Sequence, residues 1–108
     1  MKNKPEVVIE FFGESGNIFF IEYLAMLSLV EKGKRYINIA KQIPHVVRAN
    51  AKDYFDAIAI IGRFVELIPA ESELQEKYYA KRPENMVDGR FIADLVKAEI
   101  DIRRQNKN

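Results

Sequence analysis

Between Ile18 and Val30, ten large apolar residues crowd into thirteen positions: Ile18, Phe19, Phe20, Ile21, Tyr23, Leu24, Met26, Leu27, Leu29 and Val30. On a helix they surround almost the whole cylinder instead of forming one stripe, so a helix built from them calls for burial on nearly every side. The stretch is too short to cross a hydrocarbon core of roughly 30 Å, and Glu22 interrupts it, so no membrane span is expected. At 108 residues the chain suffices for one compact domain, and a domain of that size has difficulty covering a helix all round. Either later helices wrap it or a second copy of the chain does, which makes a homo-oligomer, in the first place a dimer, the expectation. The candidate oligomer interface is Phe19, Phe20, Tyr23, Met26 and Leu27, joined by Phe91, Leu95 and Ile102 from the last helix.

Ahead of that helix, Val7 to Phe12 is a β-branched and aromatic run between Pro5 and Gly13, the composition of a strand buried on both faces. It leads into Gly13-Glu14-Ser15-Gly16-Asn17, a tight turn in which Ser15 or Asn17 caps the next helix. That helix is predicted from about Asn17 to Lys32, with Gly33 in the left-handed position past its end. From Arg35 to Asn50 the pattern is again helical but contains Pro44, which lacks a donor and disfavours helical angles at Ile43. Two short helices or one kinked helix are expected there. Asp53 opens a stronger helix, with Tyr54, Phe55, Ile58, Ile61, Val65 and Ile68 at helical spacing up to Pro69. Gly62 weakens it, so residues 63–68 stand open between helix and closing strand.

Beyond Pro69, Ser72-Glu73-Leu74-Gln75 has the form of a capping box and starts a polar surface helix that ends before Pro83. The last helix carries Phe91, Leu95, Ala98 and Ile102 on one stripe, widened by Ile92 and Val96, and needs an apolar surface to dock on. The sum is a mainly α fold, a single domain over 1–108 with four to five helices and one short N-terminal strand. Residues 1–5 and 104–108 are expected to be flexible.

Charge is balanced overall, at a formal +1, but not along the chain. Residues 32–52 hold Lys32, Lys34, Arg35, Lys41, Arg48 and Lys52 with no acid, whereas 53–76 hold Asp53, Asp56, Glu66, Glu71, Glu73 and Glu76 against Arg63 alone. On a continuous helix Lys41, His45, Arg48 and Lys52 share one face, a row able to follow a phosphate backbone. Lys32, Lys34, Arg35, Tyr36, Lys41, His45, Arg48 and Lys52 are therefore the candidate contacts for nucleic acid or another partner, with Tyr36 able to stack on a base. The competing reading is a solvated face, or one paired with the acidic segment of the same chain or of a neighbouring subunit. A helix-turn-helix is disfavoured because Pro44 stands in the turn and Val46 and Val47 follow it where base-reading polar residues belong.

Reactive groups are few. There is no cysteine, one histidine, and the serines at 15, 28 and 72 lie outside any nucleophile-elbow pattern. The glycines at 13 and 16 fit neither nucleotide-binding spacing, and Glu14 repels anions. Asp53 with Asp56, and Glu73 with Glu76, read as a cap and a polar face in the absence of nearby histidines. Glu10 and Glu22, each in an apolar run, need a partner such as Arg48, Arg63 or Tyr36 if buried. No enzyme activity, cofactor or metal is expected. Lack of cysteine and of a signal-peptide pattern makes the cytoplasm the expected setting.

The strand through Gly13-x-x-Gly16-Asn17 into a long apolar helix, followed by Asp53-Tyr54-Phe55-Asp56-Ala57-Ile58, resembles a pattern in small uncharacterised proteins of phages and mobile elements. The resemblance covers residues 7–68 and brings no activity with it. It implies a setting, an accessory protein of a virus or plasmid that acts by binding another macromolecule. The sequence thus points to a non-enzymatic interaction or regulatory protein, a homodimer with a protein partner. A nucleic-acid-binding module using the basic 32–52 segment is the alternative.

Overall fold

The computed structural model describes residues 4–106 of the chain. A short parallel sheet ties distant parts together: strand β1 (Glu6–Ile9) pairs with β2 (Glu66–Pro69), Glu6 opposite Glu66 and Ile9 opposite Pro69. The Glu66 N–H donates to the Pro5 carbonyl and the Ala70 N–H to that of Ile9, both at 2.8 Å. A parallel connection cannot be a tight turn. Here it consists of three helices, α1 (Ile18–Lys32), α2 (Ile37–Asn50) and α3 (Tyr54–Ile61), after which α4 (Ser72–Lys81) and α5 (Arg90–Gln105) complete the chain. The mainly α domain expected from sequence is what forms, with five α-helices among the described residues. Of residues 63–68, 66–68 are strand and 63–65 the turn leading into it, because α3 stops at Ile61 and Gly62 caps it. None of these helices is long and apolar enough to cross a membrane.

β1 alternates, with Val7 and Ile9 buried and Glu6 and Val8 outward, so it is covered on one face and not on two as its composition suggested. The Asn17 side chain caps α1, accepting from the Phe19 N–H at 2.8 Å. Gly33 ends it at φ 142°, ψ 165°, a positive-φ conformation favouring glycine but extended rather than left-handed helical. α2 is one helix with Pro44 inside it, not two. An interior proline costs about 3 kcal/mol, and the stripe of Ala40, Ile43 and Val47 buried against the neighbouring helices offsets that loss. The Asp53 side chain caps α3 by accepting from the Asp56 N–H at 2.8 Å, as its position predicted.

The helix covered on all sides is α3 and not α1. Residues 57–61 of α3 are all buried, between α1, α2 and α5, whereas α1 buries only the stripe Ile21, Ala25 and Leu29. α5 starts directly on α3: a Cβ on Gly62 would lie 2.3 Å from Gly89 Cα, and one on Gly89 would lie 2.5 Å from the Ile58 carbonyl oxygen. The Gly89 N–H donates to Ala59 across this contact at 2.9 Å.

Later expectations need correction. The capping box before α4 does not form: Gln75 donates its side-chain amide to the Pro69 carbonyl, and the cap position is Glu71. Nor is α4 only a surface helix, since Leu74 and Tyr78 are fully buried. The buried stripe of α5 is Ile92, Ala93, Val96 and Glu99, rotated from the Phe91–Leu95–Ala98–Ile102 line, and Ala98 is exposed. The rotation is possible because Glu99 is paired: Arg103 Nε donates to it at 3.0 Å, and the same guanidinium lies 3.9 Å over the Phe12 ring. Arg104 and Gln105, expected to fray, continue the helix. At the other end Lys4 donates to the Gly62 carbonyl at 2.8 Å and Pro5 accepts from Glu66, so these two are anchored. Residues 1–3 and 107–108 of the segments expected to be flexible lie outside the described residues.

Candidate interaction surface

The exposed apolar positions of α1 are Phe19, Phe20, Tyr23, Leu27 and Val30, and Glu31 and Lys32 are exposed at its C-terminal end. Spacings of three, four and seven place the apolar positions on the side opposite the buried stripe. The first three of the five apolar positions are 74%, 41% and 54% exposed. Phe20 and Tyr23 stack with ring centroids 6.1 Å apart. Of the expected interface residues, Met26 instead packs against the core, and so do Phe91 and Leu95. Phe91 leans on Tyr78 at 5.8 Å between centroids, while Ile102 is 41% exposed. The two halves of the expected interface are therefore not brought together, because α5 spends its apolar side on α3 and α4.

Beside this face, α1, α2 and the start of α3 enclose an open groove of about 420 Å³. Pro44, Val47, Ala51 and Ala57 supply apolar lining, and Phe19, Glu22, Arg48, Lys52 and Asp53 stand around it. Burial raises the Glu22 carboxyl above the usual carboxylate range, and the nearby Arg48 opposes the rise. This partly confirms the sequence reading of Glu22, a half-buried acid with Arg48 close by. Glu10 is exposed instead.

The basic segment divides in two. Lys41, His45 and Arg48 are exposed along α2, whereas Lys52 lies past the end of the helix. Lys34 and Arg35 are exposed at the α1–α2 corner, and there the Tyr36 ring faces two cations, Lys32 Nζ and the Arg35 guanidinium, each 5.3 Å from its centroid. The Arg35 hydrogen bond and charge lower the Tyr36 pKa, and cations over its face compete with a stacking base. The acids of 53–76 pair elsewhere: Asp56 with Arg90 at 3.0 Å and Glu66 with Arg82 at 2.9 Å. Among the described residues no ion pair joins Lys34, Arg35, Lys41, Arg48 or Lys52 to an acid within 4 Å. The reading of an internally paired basic face is thus not what forms.

The turn after β1 is filled by its own chain. The Glu71 carboxylate accepts from the Phe11 and Phe12 N–H groups at 3.3 and 2.8 Å, and Ser15 Oγ accepts from that of Glu10 at 2.9 Å. Tyr54 donates to the Gly16 carbonyl, and Gly16 has no room for a side chain because its Cβ would lie 2.1 Å from the Phe11 carbonyl oxygen. Gly16 therefore serves close packing, and the amides of Phe11 and Phe12 are taken up by Glu71.

Sequence reasoning missed a polar cavity of about 440 Å³ under the loop from Arg82 to Gly89. Tyr78 donates to Glu66, which also receives Arg82, and the Arg82 guanidinium sits 5.7 Å over the Tyr78 ring. Burial first and Glu66 second push the Tyr78 hydroxyl pKa up. Lys4 enters from the other side, its pKa lowered by burial despite Glu66 and Asp88. The i, i+4, i+8 spacing of Leu74, Tyr78 and Arg82 was the available signal for the inward face of α4. Comparison of the chain with protein-family profiles, with curated proteins and with solved structures finds no match.

Proposed function

We infer that this chain is a small non-enzymatic interaction protein that works as a homodimer, the outward face of α1 meeting the same face of a second copy. The observation that carries this is the apolar row Phe19, Phe20, Tyr23, Leu27 and Val30 left open on the most apolar long helix of the fold. At 150–250 Å² for a whole aromatic side chain, the exposed parts of its three aromatics alone amount to roughly 340 Å². With Leu27 and Val30 the face reaches on the order of 500 Å², so two copies together approach the ~1,000 Å² that marks a specific interface. A large apolar patch on a small domain marks a surface that meets a partner, and a row whose charge is confined to Glu31 at its end suits its own two-fold image.

Light scattering on a sizing column over a wide concentration range tests the reading. A dimer that becomes a folded monomer when Tyr23 and Leu27 are both changed to Lys is the expected result. A monomer at every concentration would sink it.

A second reading rests on the unpaired exposure of Lys41, His45 and Arg48 along one side of α2: contact with a nucleic-acid backbone, assisted by Lys34, Arg35 and Lys52. Under it, Lys41→Glu with Arg48→Glu lowers affinity for short oligonucleotides and flattens its salt dependence. Binding that ignores both changes discards it.

A further inference from the structure

The groove beside Phe19 and the ring of Phe19 itself form a projection and a recess on one surface. Phe19 is 74% exposed, and the groove next to it, about 420 Å³, falls within the roughly 300–1,000 Å³ of pockets that hold small organic groups. An interface with two-fold symmetry uses the same patch twice, so a patch holding both a projection and a recess is complementary to itself.

We propose that two copies of the chain exchange Phe19, each ring entering the groove lined by Pro44, Val47 and Ala51 of the other copy, with Glu22 of one copy facing Arg48 of its mate. The proposal rests on the homodimer reading and names the residues that fix its geometry. Charge supports it: Glu22 and Asp53 stand with Arg48 and Lys52 around the groove, two acids and two bases. Such a mouth is neutral in sum and polarised in detail, so it attracts its own two-fold image more than a uniformly charged ligand. Glu22 and Arg48 line the same groove, yet among the described residues no ion pair within 4 Å joins them. Burial has already raised the Glu22 carboxyl although the charge of the chain's own Arg48 opposes it, and a guanidinium arriving from a second copy adds the direct hydrogen bonds that this more distant charge does not make.

Complementation between chains tests this. Glu22→Arg and Arg48→Glu are purified separately, and each is expected to weaken self-association at least about tenfold, since like charges then face each other across the interface. Mixed in equal amounts, the two variants oppose unlike charges only between chains, while like charges persist within each chain. Recovery of the dimer in the mixture, absent from either variant alone, is the expected result. A wild-type dimer that resists both changes, or variants that weaken it without recovery on mixing, overturns the exchange and leaves α1 pairing intact. A wild-type monomer overturns both together. Should either variant lose its helical circular dichroism, the cysteine-free sequence offers a second route. Phe19→Cys and Ala51→Cys chains, mixed under mild oxidation, are expected to cross-link to each other faster than either does to itself. Faster Phe19→Cys self-linking contradicts the exchange.

Discussion

The α3–α4–α5 side of the molecule and the α1–α2 hairpin treat their side chains in opposite ways. On the first side polar groups are consumed internally: Glu66 by Tyr78 and Arg82, Asp56 by Arg90, Glu99 by Arg103, Glu71 by the amides of Phe11 and Phe12. Even the backbones of α3 and α5 touch, at Gly62 and Gly89. The hairpin instead turns outward five apolar residues of α1 and a row of cations on α2. Both regions obey the same rules of burial, so the difference shows where the single chain finishes its own structure and where it leaves contacts to be made. One side consumes these polar groups within the fold, and the other leaves apolar residues and cations exposed.

The contrast is broken most severely at the glycine contact. Gly62 and Gly89 have ordinary backbone angles, φ −65° and −93°, so alanine suffers only from contact with neighbouring backbone, which cannot swing aside. Gly89→Ala is expected to cost about 3 kcal/mol, read as a lower urea midpoint. Next comes Tyr78→Phe, at about 1–3 kcal/mol for leaving partly buried Glu66 short of a donor. Because the Tyr78 pKa is raised in the fold, its contribution is complete below the ordinary tyrosine value of 10.0 and is lost as pH rises through the folded value. Thermal melts above that pH should therefore fall more steeply for the wild type than for Tyr78→Phe. Asp53→Ala, which removes the α3 cap, is expected to cost about 1 kcal/mol.

On the hairpin the same measurements should barely move. Tyr23→Lys or Leu27→Lys is expected to change monomer stability by no more than about 0.5 kcal/mol while abolishing self-association. A drop comparable to that of Tyr78→Phe would place these residues with the core and erase the contrast. Glu22→Gln sharpens it further. A carboxyl whose pKa is raised on folding lowers stability above the usual carboxylate range, so in a chain kept monomeric by Leu27→Lys the variant should melt slightly higher at neutral pH and lose that advantage in acid.

The same contrast explains what the sequence could tell. Asn17 and Asp53 were legible as caps because capping is local, and β1 because Pro5 and Gly13 bracket a β-branched run. The second strand was legible only as an alternative, since Val65 and Ile68 fit helical spacing and only Gly62 argued against it. Pro44 misled because its local penalty is real, yet the tertiary burial of Ala40, Ile43 and Val47 outweighs it. The stripe on α5 came out rotated because an isolated sequence ranks Glu99 as exposed, and only Arg103 and the crossing on α3 justify its burial. For α1, the apolar residues led to an expectation of cover on nearly every side, which the single chain does not provide. Which helix the fold itself would cover depends on how many neighbours can reach it, and α3, shorter and central, receives them. The outward face of α1 could thus be guessed from the surplus, but the groove beside it, built from three helices, could not.

The pairing of Glu6 with Glu66 also has a meaning in time. On a growing chain β1 emerges first and has no mate until three helices have followed it, so its apolar side waits while they collapse. Closing so long a loop carries an entropic cost that only later contacts offset, which puts the sheet late in folding and makes it a seal on helices already assembled. A nascent chain halted before β2 would leave the N–H and C=O groups of β1 without their ladder partners, an open edge able to pair with another chain.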